Sequence, residues 1–241
     1  MVKRFLKGEE TLKEQEENKS EFQFLKDADP ETLFENSRAF QNLMMMYNCA
    51  IREIKTKLEV LDDEFSIRYK RNPISSIKSR VKKPVSIYRK LKKNGLEISE
   101  ENILNGIHDV AGVRVICSFI DDIYTVAGLL ANQDDITVLR VKDYIKNPKS
   151  NGYRSYHMIV EVPVFFSKGK TPMKVEIQIR TIAMDFWASL EHQLRYKKDI
   201  EDVEGHEEIS RKLFECAQTI AHTDQEMQEI KRMIGEFNDL S

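Results

Sequence analysis

The stretch KVEIQIRT, residues 174 to 181, decides how this chain is read. Its branched apolar residues alternate with polar ones, the period of a β-strand. Val175, Ile177 and Ile179 are therefore expected to face a core. Glu176, Gln178 and Arg180 then form one row on the opposite face. Three long polar side chains in a row need water, partners or a ligand. The row fits either a solvated edge strand or a central strand that carries a site.

Working outward, SYHMIVEVPVFF (155–166) reads as a strand joined to this one through SKGK (167–170), a hairpin signal. GVRVICSFI (112–120) is a short apolar run of the kind found in buried strands, and ITVLRVKDYI (136–145) is a further strand. DDIYTVAGLLANQ (121–133) between them has a helical pattern. From residue 107 the chain therefore alternates between strands and helices, an α/β organisation. Two helices follow, at about 182–198 and 207–237. The first puts Ile182, Phe186, Leu190 and Leu194 on one stripe, and the second is acidic outside and apolar on one side. Such a stripe packs on its own domain or on another subunit.

Upstream, residues 1–30 read as an acidic arm and 31–241 as the functional domain. A helix is expected after DPET, capped by Asp29, with Leu33, Phe34, Phe40, Met44, Tyr47, Ile51, Ile54 and Leu58 near helical spacing. RNPISS (71–76) reads as a turn that leads into a helix at 84–93, closed by Asn94-Gly95.

The net charge of −2 over 241 residues excludes a wholesale polyanion binder. It hides strong segregation. Residues 66–93 hold eleven Lys or Arg and no acid, whereas 9–35 hold ten acids against three bases and 199–241 twelve against four. The basic block is interleaved with Ile74, Ile77, Val81, Val85, Ile87, Tyr88 and Leu91, a pattern that builds a cationic top over an apolar underside. No apolar run approaches a membrane span or a secretion signal. The three cysteines, Cys49, Cys117 and Cys216, lack metal-ligand spacing and are expected to be reduced core thiols in a cytoplasm.

Asp109 in HDVAGVRV stands just before a buried strand. Together with Glu176 and two basic segments it suits metal-assisted phosphoryl-type transfer through Mg²⁺, whose preferred partners are a few oxygens and substrate phosphates. Asp109 read alone caps a turn equally well. A His-Asp phosphohydrolase centre is disfavoured, because His108 is the first histidine of the chain. His206 and His222 read as surface residues, and His192 as orienting a neighbour or simply solvated. There is no Gly-rich phosphate loop, so side chains must hold phosphates. In KNPKSNGYRSYH (146–157), Tyr153 offers either a stacking face for a base or a core aromatic at a strand entry.

RVKKPVSIYRKL (80–91), DVAGVRVIC (109–117), RVKDYIKNPKSNGYRSYH (140–157) and VEIQIRTIAMDFWASLEHQLRYK (175–197) come in an order that resembles (p)ppGpp synthetases of the RelA/SpoT type. With no hydrolase-type or regulatory segment in the sequence, the resemblance is to a small alarmone synthetase. It implies a single mixed β-sheet flanked by helices, distantly like nucleotidyltransferases. It implies transfer of the β,γ-pyrophosphate of ATP to the ribose 3′-hydroxyl of GDP or GTP in the cytoplasm, with Mg²⁺ as cofactor.

Carried onto this chain, Asp109 and Glu176 are the catalytic pair and hold the metal, and Glu176 also activates the hydroxyl. Arg80 and Arg114 sandwich adenine. Lys82, Ser86, Lys90 and Lys142 serve ATP. Tyr153 stacks on guanine, while Lys149, His157 and Gln178 serve the GDP or GTP acceptor. A homo-oligomer, a tetramer by the family pattern, and no membrane partner are expected. NPISSIKS lacks the Phe and Thr of one subgroup's alarmone-binding cleft, and Asp185 replaces that subgroup's Asn, so activation by product is not expected. The alternatives are a non-catalytic guanine-nucleotide or single-stranded RNA module, and an enzyme that moves a nucleotidyl group instead.

Overall fold

The computed structural model describes residues 38–69, 71–197 and 206–239. The acidic arm and the helix start at Asp29 lie outside these residues.

The described elements run α1 (Arg38–Tyr69), β1 (Ile74–Val81), α2 (Pro84–Lys93), α3 (Glu100–Gly106), β2 (Ala111–Cys117), α4 (Ile120–Ala131), β3 (Thr137–Asp143), β4 (Tyr156–Phe166), β5 (Gly169–Thr181), α5 (Ile182–Lys197) and α6 (His206–Asp239). Five strands form one sheet in the order β1-β2-β5-β4-β3. The strand that opened the sequence reading is thus the central one. Val175, Ile177 and Ile179 are fully buried, as their alternation demands. β3 pairs antiparallel with β4, placing Lys142 opposite His157 and Asp143 opposite Tyr156, with a register shift between Val138 and Arg140.

The chain divides into two compact units. The first consists of the described part of Met1–Glu53 with Arg80–Gly112 and Val162–Val175. Its core holds Phe40, Leu43 and Tyr47 of α1, Ile87 and Leu91 of α2, Ile103 of α3, and Met173 and Val175. Burying each large apolar side chain is worth roughly 1.5–3 kcal/mol. Ile87 and Leu91 lie one turn apart, so α2 turns its lysines outward. It starts with Pro84 at the first turn and stops at Asn94, followed by Gly95 at φ +68°.

The second unit consists of Ile54–Ser79, Val113–Glu161 and the described part of Glu176–Ser241. Its core gathers Ile54 and Leu58, Val113 and Val115 of β2, Ile123, Val126 and Leu130 of α4, Met158 and Val160 of β4, and Ile177 and Ile179. Here α6 is pinned to the start of α4: Gln228 Nε2 donates to Asp121 Oδ2 at 2.6 Å, and Lys231 lies 3.3 Å from the buried Asp122. Arg71 clasps Asp122 from another side at 2.5 and 2.9 Å.

Some expectations need correction. Residues 74–81 form a strand at the sheet edge, not part of a turn that leads into a helix. Its basic residues stand exposed on an edge, where charge suits a strand that meets water. Helix α3 was not expected; Ser99 caps it by accepting from the Asn102 amide at 3.1 Å. Of the three thiols only Cys117 is in a core, while Cys49 is half-buried and Cys216 exposed. The stripe Ile182, Phe186, Leu190 and Leu194 is 43–58% exposed, because α5 turns Met184, Trp187 and Ala188 inward instead.

Candidate active site

In the first unit Asp109 sits just before β2 and draws two ammonium groups onto one oxygen. Lys82 Nζ lies 2.6 Å and Lys90 Nζ 2.8 Å from Asp109 Oδ2. The backbone places Lys82, since its amide donates to the Val110 carbonyl at 2.8 Å. Lys90 stands on α2 one turn beyond Ser86, so both occupy the same face of that helix. Burial works against charge on Asp109, but the two lysines outweigh it and hold the carboxyl below the usual carboxylate range. The other oxygen, Oδ1, is buried and accepts no hydrogen bond from the described residues. Arg80 is exposed at the end of β1.

In the second unit β4, β5 and the loop between β3 and β4 build the rest. The loop is folded tightly on itself. Asp143 Oδ1 accepts from the Ile145 and Lys146 amides at 2.9 and 3.0 Å. Gly152, at φ +86°, donates to the Lys149 carbonyl at 2.8 Å. Arg154 ties the loop to α6, donating to the Gly152 and Ala217 carbonyls at 3.2 and 3.4 Å and to Gln218 Oε1 at 3.2 Å.

These ties leave Tyr153, half-buried, packed edge-on against Tyr144 and His157 at 6.0 and 5.9 Å between centroids. Lys149 lies 4.8 Å and the Arg180 guanidinium 5.0 Å from the Tyr153 ring centre. The core-aromatic reading of Tyr153 holds in part: it packs against the cluster of Trp187, Ala188 and Ala217, while Arg180 donates to its hydroxyl.

Glu176 opens onto a hollow of about 510 Å³, solvent at its mouth included, lined also by Arg140, Lys142, Tyr144, Lys149, His157 and Ile159. One carboxylate thus faces a ring of cations and a histidine. Gln178 Nε2 donates to Glu176 Oε2 at 3.0 Å, and His157 Nδ1 lies 3.5 Å from Glu176 Oε1. Arg180, at the end of the same row, is only 4% exposed. Its charge is met by Asp185, 8% exposed, at 3.1 Å. Asp185 also draws Arg114 at 3.2 Å and Lys78 at 3.4 Å.

Among the expected site residues, Asp109, Lys82 and Lys90 are together in the first unit. Lys142, Lys149, His157 and Glu176 line one hollow in the second, with Tyr153 and Gln178 bonded to members of it. Arg80 and Ser86 belong to the first unit and Arg114 to the second. Sequence reasoning gave no role to Arg140 and Tyr144, nor to the Arg180–Asp185 pair. The signal for Arg140 was available: it is two residues from Lys142 on a strand and shares its face. The signal for Arg180 was the polar row itself. Tyr144 sits where strand becomes loop and carries no pattern.

A family model described as the region found in RelA and SpoT proteins matches residues 79–201. GTP pyrophosphokinase YwaC of Bacillus subtilis (strain 168) is 44% identical over 195 residues, covering 81% of this chain and 91% of the relative. GTP pyrophosphokinase YjbM of the same organism is 34% identical over 203 residues, covering 83% and 92%. The crystal structure of small alarmone synthetase 2 from Bacillus subtilis matches with TM-score 0.72 and 43% identity, over 80% of this chain and 98% of that one. That of small alarmone synthetase 1 from Bacillus subtilis bound to its product pppGpp matches with TM-score 0.74 and 33% identity, over 83% and 100%. With these motifs, this sheet and these matches, the chain belongs to the RelA/SpoT family.

Proposed function

We propose that this chain transfers the β,γ-pyrophosphate of ATP to the ribose 3′-hydroxyl of GDP or GTP, making (p)ppGpp and AMP. It is an enzyme of the GTP pyrophosphokinase type. The observation that carries the reading at this site is Glu176 in a hollow otherwise rich in cations. A carboxylate there serves a hydroxyl; Arg140, Lys142 and Lys149 serve phosphates.

In this reading the acceptor oxygen attacks the β-phosphorus of ATP, its proton passes to the Glu176 carboxylate, and the α–β bridging bond breaks with AMP as the leaving group. Lys82, Ser86, Lys90 and Lys142 hold the ATP phosphates, and Arg80 and Arg114 contact adenine. Tyr153 stacks on guanine, with Lys149, His157 and Gln178 on the acceptor. Holding two polyanions in register supplies most of the rate gain.

Asp109 and Glu176 suit Mg²⁺. The buried Asp109 Oδ1 accepts no hydrogen bond from described residues. That suits an ion that takes few protein ligands and completes its shell with water and phosphate oxygens. When bound, it offsets the phosphate charge.

The relatives named above are GTP pyrophosphokinases, so the non-catalytic nucleotide or RNA module weighed from sequence is not the supported reading. No helix of the described residues is long and apolar enough to cross a membrane. A cytoplasmic location goes with nucleotide substrates. Homo-oligomerisation through α5 and α6 belongs to the same proposal, supported by their exposed apolar residues.

Incubation with ATP, Mg²⁺ and GDP tests the activity. Release of AMP with a guanosine tetraphosphate product is expected, and pyrophosphate release would point to a nucleotidyl transfer instead. Glu176→Gln should cut turnover at least a hundredfold with the fold intact by circular dichroism. Turnover above a few per cent of wild type would remove Glu176 from the chemistry.

A further inference from the structure

We infer that Arg180 is a positioning residue that sets the direction of the hydrogen bonds in two chains leading to Glu176, and thereby the tautomer of His157. This rests on the reading of Glu176 as the group that handles the acceptor hydroxyl.

An arginine donates and never accepts. Arg180 Nη2 lies 2.6 Å from the Tyr153 hydroxyl and 3.2 Å from Gln178 Oε1, so it donates to both. On the first chain, the phenol oxygen that accepts from Arg180 keeps a single hydrogen. His157 Nε2 is 2.8 Å away and takes it, which makes Nε2 an acceptor. The proton of the neutral imidazole is then on Nδ1, which faces Glu176 Oε1 at 3.5 Å.

The opposite tautomer fails on two counts. Two N–H donors would converge on one phenol oxygen, and a bare Nδ1 lone pair would face a carboxylate. On the second chain, Gln178 Oε1 is committed to Arg180, so its amide nitrogen is the end that donates to Glu176 Oε2 at 3.0 Å. Both chains therefore present N–H groups to the carboxylate.

Arg180 performs this role because it is immobile. It is 4% exposed, bonded through Nε to Ser155 Oγ at 3.3 Å, and ion-paired to Asp185. Asp185 also binds Arg114, so the counter-ion of this device is shared with a residue proposed to contact ATP.

Nitrogen NMR of ¹⁵N-histidine-labelled protein, at a pH where His157 is neutral, reads the tautomer directly. Nδ1–H is expected in the wild-type enzyme. Tyr153→Phe keeps the ring for stacking but deletes the relay oxygen. It should release His157 into a mixed tautomer and lower kcat about tenfold, with the KM for ATP within twofold. Arg180→Lys keeps the charge against Asp185 and loses the fork. It should do the same, and if it does not fold, the wild-type spectrum and Tyr153→Phe still decide.

An Nε2–H tautomer in the wild type, or kcat within twofold of wild type in Tyr153→Phe, overturns the inference. Failure of the wild-type enzyme to release AMP would sink the synthetase reading instead and leaves the tautomer measurement standing.

Discussion

Gly152 shows how narrowly a residue can be fixed. Its φ of +86° lies in the region that side chains avoid, and a Cβ built there would meet the Ala217 Cβ at 2.5 Å. Both demands act on the loop that carries Lys149 and Tyr153. Gly152→Ala should cost roughly 1–3 kcal/mol for the backbone alone. That corresponds to a fall in Tm of about 2–4 °C for each kcal/mol. An unchanged Tm in a thermal melt would mean that the loop swings away from α6 at no cost. The turn at Gly152 was legible, because Asn-Gly is a turn signal. Its approach to α6 was not, since a close contact between distant stretches leaves no local pattern. Arg180 illustrates the same limit: the row was legible, but a sequence does not say that one member is buried on an aspartate.

At the scale of elements, regular periods were read well and irregular ones poorly. β5, α2 and α4 follow clean periods of two or 3.6 residues, and the sequence places them closely. β1 was missed because its outer face is basic and follows a proline, which looks like a turn. Only pairing with β2 makes it a strand. α3 is a single capped stretch, too short to show a period.

The corner between β5 and α5 has its own chemistry. Thr181 Oγ1 accepts from the Met184 amide at 3.1 Å and donates to Asp224 Oδ2 of α6 at 2.6 Å. Burial pushes the Asp224 carboxyl above its usual range, against the Thr181 hydrogen bond and the charge of Arg154. A carboxyl with a raised folded-state pKa binds its proton more tightly folded than unfolded. Its charge therefore burdens the fold increasingly as pH rises from about 3.9 through the folded value. Asp224→Asn, whose amide oxygen still accepts from Thr181, should melt higher than wild type at pH 7. The gap should close as pH approaches 3. A gap that widens toward acid would show that the charge stabilises the fold.

For the molecule as a whole, the sequence announced segregated charge and an apolar stripe at residues 182–194, and the structure leaves that stripe in water. Phe186 is 58% exposed, and on α6 Met227, Ile230, Met233 and Ile234 are 48–56% exposed. Large apolar side chains in such rows suit a second copy of the chain. Phe186→Glu should reduce the mass measured by light scattering to that of a smaller species without lowering helix content. A mass equal to that of wild type would leave the stripe without a subunit partner. The sheet and its central row were thus legible from residues 174–181, whereas which helix face meets water required the fold.

One helix, α6, answers to two masters. One side grips the loop that carries Lys149 and Tyr153 through Ala217 and Gln218, while Met227, Ile230 and Ile234 stand bare. In the proposed reading, the demands of catalysis and of assembly fall on neighbouring positions of the same rod. On that reading, α6 should drift more slowly than its exposed surface alone would suggest.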